Sequence, residues 1–245
     1  MTTFRLLIPA VLALVLTACQ GTSGAAREAM AAPQAAQATA TPAPTPTPTP
    51  KALTLVTMGA SDVAGVGADD PKTQGWAPVL AKTLPGQPTH VRLGVPGWTA
   101  AQIRANALDK AVKARPDVVV LWTGVNDFNG GVSLEAFKAD LDPMLAALAK
   151  TEAKVYVLNM PDLHRLPAFK AGATMIQLAM PVWRTAIQGV AQRHGATVVE
   201  LTPYSDEIAA HPEYISADGF HPSTRGYQRL AEIVQSALKP AVLTN

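Results

Sequence analysis

Five short runs of apolar, largely β-branched residues punctuate residues 53–201, with helical patterns between them, and that alternation leaves few folds open. The runs are Leu53–Met58, His90–Val95, Val118–Trp122, Val155–Asn159 and Thr197–Leu201. Runs this short that stay apolar at successive positions suit strands buried on both faces. Trp76–Thr83 and Ala100–Ala114 carry helical patterns; in the second, Ile103, Ala107, Leu108, Ala111 and Val112 share one face and Thr99 is placed to cap. Leu134, Phe137, Leu141, Leu145 and Leu148 mark a further helix, in which Pro143 is expected to kink the chain or to restart it with Asp142 as cap. Thr174–Arg193 reads as a third long helix. The last runs from Thr224 to about Leu238, with Tyr227, Leu230, Ile233, Val234 and Leu238 facing inward. Strands joined by right-handed helical crossovers make a parallel sheet covered on both faces. The expected fold is a three-layer α/β/α sandwich.

This pattern occupies one domain, residues 52–245, long enough to bury a full core. What precedes it is different in kind. Arg5 and the apolar stretch Leu6–Ala18 read as a signal peptide, too short to span a bilayer as a helix, which needs roughly 20 residues. Leu16-Thr17-Ala18-Cys19 resembles the bacterial lipoprotein signal box, which implies cleavage after residue 18 and lipidation of Cys19. Cys19 is the only cysteine, so no intrachain disulfide is available to it. Residues 19–51 are Ala-, Pro- and Thr-rich with almost no large apolar side chain, the composition of a disordered tether. The tract Thr41–Pro50 favours extended polyproline II, about 3.1 Å per residue, so it reaches roughly 30 Å. Twenty Lys and Arg against 18 Asp and Glu give a formal charge of +2, with the basic residues scattered, which argues against nucleic acid as a partner.

The chemistry starts at Gly59-Ala60-Ser61-Asp62. A serine directly after a strand-ending glycine lies where open α/β sheets place their ligands, outside the carboxyl ends of the strands. A serine hydroxyl is a weak nucleophile until a base takes its proton. Asp218-Gly219-Phe220-His221 offers such a base, with a carboxylate three residues before the histidine to orient its ring from the same loop. Gly94-Val-Pro-Gly97-Trp-Thr closes the second strand and Thr123-Gly-Val-Asn126-Asp127 the third. Singly, each block is an ordinary turn. Jointly, four blocks in this order and spacing are far more specific.

Together they resemble the SGNH hydrolases, also called GDSL-type esterases and lipases, over essentially all of residues 53–240. The resemblance implies a flavodoxin-like sheet of order 2-1-3-4-5. It also implies Ser61 as nucleophile, His221 as base and Asp218 as its orienting acid, with an oxyanion hole built from Ser61, Gly97 and Asn126. Fixed donors of this kind stabilise the charge of a tetrahedral intermediate.

Two positions depart from the family pattern. Ala60 stands where the family has aspartate, with a carboxylate one position later at Asp62, and Arg92 stands where asparagine is common. The missing final glycine of a Gly-x-Ser-x-Gly elbow argues against an α/β-hydrolase.

Among the remaining candidates, Trp98 either walls a substrate pocket or fills core, and His164 either lines the cleft or is a polar loop residue. Trp76 and Trp122 are expected in the core, His90 and His194 at the surface, and His211 in a structural role. No metal site and no cofactor are implied. The expectation is an extracytoplasmic serine esterase, held to a membrane through lipidated Cys19, monomeric, acting on a small-molecule or glycan ester. Its substrate would be a short-chain acyl ester or a lysophospholipid-like ester. The alternatives are a carbohydrate O-acetyl esterase of the same fold and a binding protein that has lost turnover, the latter motivated by Ala60.

Overall fold

The computed structural model describes residues 53–242, so the signal segment, Cys19 and the linker lie outside the described residues. The strands are β1 (Thr54–Gly59), β2 (Thr89–Gly94), β3 (Val118–Trp122), β4 (Lys154–Leu158) and β5 (Thr197–Val199). All pair in parallel, in the spatial order β2-β1-β3-β4-β5. This is the 2-1-3-4-5 sheet expected, each strand lying within two residues of its sequence-based bounds.

The apolar runs are continuous because the sheet is covered twice. On β3, Val118, Val120 and Trp122 face one core while Val119 and Leu121 face the other, and all five are nearly inaccessible. Helices α2 (Trp76–Thr83) and α9 (Thr224–Val242) close the first core through Trp76, Leu80, Tyr227, Leu230 and Val234. The expected inward set on α9 holds, except that Ile233 is only partly buried. Helices α3 (Ala100–Asn106), α4 (Leu108–Lys113), α6 (Leu134–Leu148) and α7 (Ala173–Arg193) close the second. Three short helices join them: α1 (Ser61–Ala64), α5 (Val125–Asn129) and α8 (Thr202–Ala210). Sequence patterning showed none of the three.

The helix expected over Ala100–Ala114 divides at Ala107, whose φ of −114° leaves the helical range. Its apolar face survives the break, since Ile103, Ala107 and Ala111 all stay buried. Thr99 caps α3 as expected, its N–H donating to Gln102 Oε1 at 3.0 Å. The restart expected at Pro143 does not occur: α6 runs unbroken through it, and Asp142 pairs with Arg193 and His194 instead of capping. A proline inside a helix costs about 3 kcal/mol. Burial of Phe137, Leu141, Met144, Leu145 and Leu148 offsets this at about 1.5–3 kcal/mol per side chain. Trp76 and Trp122 are core residues, in edge-to-face contact at 6.4 Å.

The surface expected for two histidines needs correction. His90 is half-buried, its Nε2 2.9 Å from the hydroxyl of fully buried Thr57, because β2 pairs in register beside β1. His194 is also half-buried and lies 3.1 Å from Asp142. His211 is exposed, stacked on Tyr214 at 4.8 Å and paired with Glu213.

Candidate active site

Two glycines set the position of Ser61. Gly59 and Gly94 are register partners at the ends of β1 and β2. A methyl group on Gly59 would lie 2.5 Å from the Trp122 carbonyl oxygen, and one on Gly94 would lie 2.7 Å from the backbone nitrogen of Ala64. The chain therefore folds down tightly into α1, of which Ser61 is the first residue, 5% exposed. As the first helical residue, its N–H has no intrahelical partner.

Gly97 lies on the loop after β2 with φ 83°, and nothing stands within 4 Å of where its Cβ would be. Its glycine is required by conformation rather than by space. That loop is tied to the end of β3 twice. Asn126 Nδ2 donates to the Trp98 carbonyl at 2.9 Å, and both carboxylate oxygens of Asp127 accept from the Ala100 N–H at 3.1 and 3.0 Å. Burial pushes the Asp127 carboxyl up, and the Ala100 N–H works against that rise. Asn126 keeps its second amide hydrogen for another acceptor.

Asp218 and His221 share a tight loop before α9. Asp218 Oδ2 lies 2.6 Å from His221 Nδ1, while Oδ1 accepts from Ser216 Oγ at 2.8 Å and from the N–H groups of Phe220 and His221 at 2.8 and 2.9 Å. Partial desolvation raises the Asp218 pKa, but the bonds from the His221 ring, the two N–H groups and Ser216 outweigh it and hold the carboxyl well below the usual range. A carboxylate only accepts, so the His221 ring donates from Nδ1 and leaves Nε2 as the basic nitrogen. That Nε2 is buried and has no hydrogen-bond partner, so Ser61 and His221 are not bonded to each other here. The segment carrying Ser61 does pack against His221: a methyl on Gly67 would lie 3.0 Å from His221 Cβ.

Asp62 points to the same place. Burial raises its pKa from 3.8 to about 6, partly opposed by attraction to His221 and helped by repulsion from Asp218. The residue keeps some exposed surface, while protein surrounds the carboxyl itself.

Two small cavities adjoin these groups. One of about 10 Å³ is lined by Ala60, Asp62, Trp98, Trp122, Thr123 and Asn126, among others. Thr123, whose Oγ1 is buried without a partner, lines it. The second cavity, about 30 Å³, lies between Asp62, Val125, Phe220 and Pro222. Trp98 lines the first and packs partly against the core; His164 lines neither, and its Nδ1 is buried without a partner.

Sequence reasoning left Ser216 and Asp127 without roles, and treated Asp62 only as a substitution. Ser216 carried a local signal, a hydroxyl two residues before a loop aspartate. The other two depend on contacts distant in sequence and carried none.

The sheet order and these four blocks define a GDSL-type hydrolase. The chain belongs to the GDSL-like Lipase/Acylhydrolase family, whose sequence profile matches residues 57–229, and it is a carboxylic ester hydrolase of that family. Among its relatives is Esterase TesA of Pseudomonas aeruginosa, 27% identical over 197 residues that cover 77% of this chain and 89% of that protein. The fold is shared with a lipolytic G-D-S-L family protein of Veillonella parvula (TM-score 0.64, 18% identity, covering 77% of this chain and 99% of the other). It is shared too with Axe2, an acetylxylan esterase of Geobacillus stearothermophilus (TM-score 0.62, 17% identity, covering 75% and 93%).

Proposed function

We propose that this protein is a serine esterase working through an acyl-enzyme, with Ser61 as nucleophile, His221 as general base and Asp218 as the group that orients it. The Asp218–His221 bond of 2.6 Å carries this reading, because it holds the proton on Nδ1 and leaves Nε2 free to accept one. The bond between Ser61 and Nε2 forms when substrate binds; such bonds are often open in free enzymes. Ser61 Oγ attacks the ester carbonyl as its proton passes to Nε2. The oxyanion is met by the N–H groups of Ser61 and Gly97 and by the second amide hydrogen of Asn126. Protonated His221 then returns the proton to the departing alcohol, and a water activated by the same nitrogen releases the acid.

The small cavity beside the site favours short acyl groups over lysophospholipid-like chains. Its size also supports the second reading, a carbohydrate O-acetyl esterase, since an acetyl group needs little more room than about 30 Å³ provides. A fluorophosphonate should inactivate the protein and add its mass to the peptide containing Ser61, while Ser61→Ala stays folded and unlabelled. Labelling of Ser205 or Ser216 instead refutes the assignment. Acetylated glycans assayed against soluble p-nitrophenyl esters separate the two substrate readings.

Cys19 and the tract after it support a further part of the proposal: a lipid-anchored, extracytoplasmic enzyme on a Pro/Thr-rich tether. Full-length protein should partition into detergent and Cys19→Ser should accumulate as precursor. Normal processing and soluble release of Cys19→Ser would rule the anchor out.

A further inference from the structure

The cavity of about 30 Å³ opens between residues that flank all three working groups: Asp62 follows Ser61, Val125 precedes Asn126, and Phe220 and Pro222 stand on either side of His221. Its walls are mostly apolar, yet two of the residues that line it carry polar atoms without partners. Trp122 Nε1 and the Tyr204 hydroxyl are buried without partners, on residues 5% and 2% exposed. Asp62 lines the same cavity and, after burial, its charge is the next cause of the raised Tyr204 pKa. Buried donors without acceptors are rare and call for an occupant.

We propose that this cavity is the acyl pocket and that Asp62, Trp122 and Tyr204 select short acyl groups carrying a hydroxyl on the second or third carbon. The inference rests on the serine-esterase reading above. The acyl group is held on Ser61 between the two half-reactions whereas the alcohol departs in the first, so the recessed space suits the acyl side. Its volume admits roughly two or three non-hydrogen atoms, or about two waters when substrate is absent. A hydroxyl both accepts, from the indole N–H, and donates, to the Asp62 carboxylate. A methyl in its place strands those groups, and an ammonium, which only donates, strands the indole N–H. Asp62 titrates near pH 6, accepting above it and able to donate below it, and a hydroxyl complements either form.

The test compares kcat/KM for methyl lactate against methyl propionate and for methyl 3-hydroxypropionate against methyl butyrate. Each ratio is divided by the corresponding ratio for alkaline hydrolysis, which removes the hydroxyl's own effect on reactivity. Wild type should prefer at least one hydroxyester by about 10-fold or more, as sites built to bond a substrate hydroxyl do. Asp62→Leu should abolish that preference, Tyr204→Phe should reduce it, and Asp62→Asn, which keeps hydrogen-bonding atoms, should retain most of it. Should Asp62→Leu fail to fold, Tyr204→Phe and Asp62→Asn decide. A wild-type enzyme that is labelled at Ser61 and hydrolyses both members of each pair without preference overturns this inference alone, as does a preference that neither Asp62→Leu nor Tyr204→Phe lowers. Absence of both labelling and turnover would instead refute the esterase reading.

Discussion

Asn126 donates from Nδ2 to the main-chain oxygen of Trp98, 2.9 Å away across 28 residues of sequence. The bond fixes the amide at the end of β3 against the loop that carries Gly97, so two of the proposed oxyanion donors are held relative to each other before substrate arrives. Preorganisation of this kind lets a donor favour the transition state over the ground state.

Asn126→Ala should therefore lower kcat and kcat/KM together by about 10²–10³, with KM little changed. The donors at Ser61 and Gly97 should leave activity above a Ser61→Ala control. Melting temperature and steady-state kinetics on the same purified variant decide: lost stability with normal kcat in the folded fraction would make Asn126 a turn residue only.

Stability between about pH 4 and 6.5 should reflect two opposed groups. Asp62 has its pKa raised from 3.8 to about 6 by burial, with His221, Asp218, Tyr204 and Tyr227 facing it. Its contribution is present below pH 3.8 and is lost as pH rises through 6. Burial, with Arg92 adding to it, lowers His90 from 6.5 to about 4, so its contribution is present above 6.5 and is lost as pH falls through 4. Each amounts to at most about 3 kcal/mol, at 1.36 kcal/mol per pH unit. Urea titrations should show the two nearly cancelling in wild type. Asp62→Asn should lose stability as pH falls through this window, and His90→Gln should gain it. Parallel slopes in the two variants would contradict the assignment.

The two glycines of the site should fail differently. Gly97→Ala meets open space and loses only the left-handed backbone preference, about 1–2 kcal/mol. Gly59→Ala drives a methyl into the Trp122 carbonyl and Val63, at 2.5 and 2.6 Å, and should cost about 3 kcal/mol or more. Chemical denaturation of both variants measures the difference; equal losses would contradict a tight turn into α1.

By itself the sequence determined the features that depend on near neighbours. Apolar runs placed β3 and α2 at their observed bounds, and the fold class followed from their alternation. Asp218 and His221 were legible because their bond closes within one loop, three residues apart. Tertiary structure alone decided what spans the sheet. The anchoring of the Ala100 N–H by Asp127 crosses 27 residues, and the contact of Thr57 with His90 crosses 33. Pairing of β1 with both β2 and β3 sets the close approach of Gly59 to Trp122. The environment of Asp62 depends on α1, the α8 residue Tyr204 and the loop before α9 coming together at one end of the sheet. A carboxyl's ionisation, and what it can recognise, follow from the burial and charges around it, and those exist only once distant segments have packed.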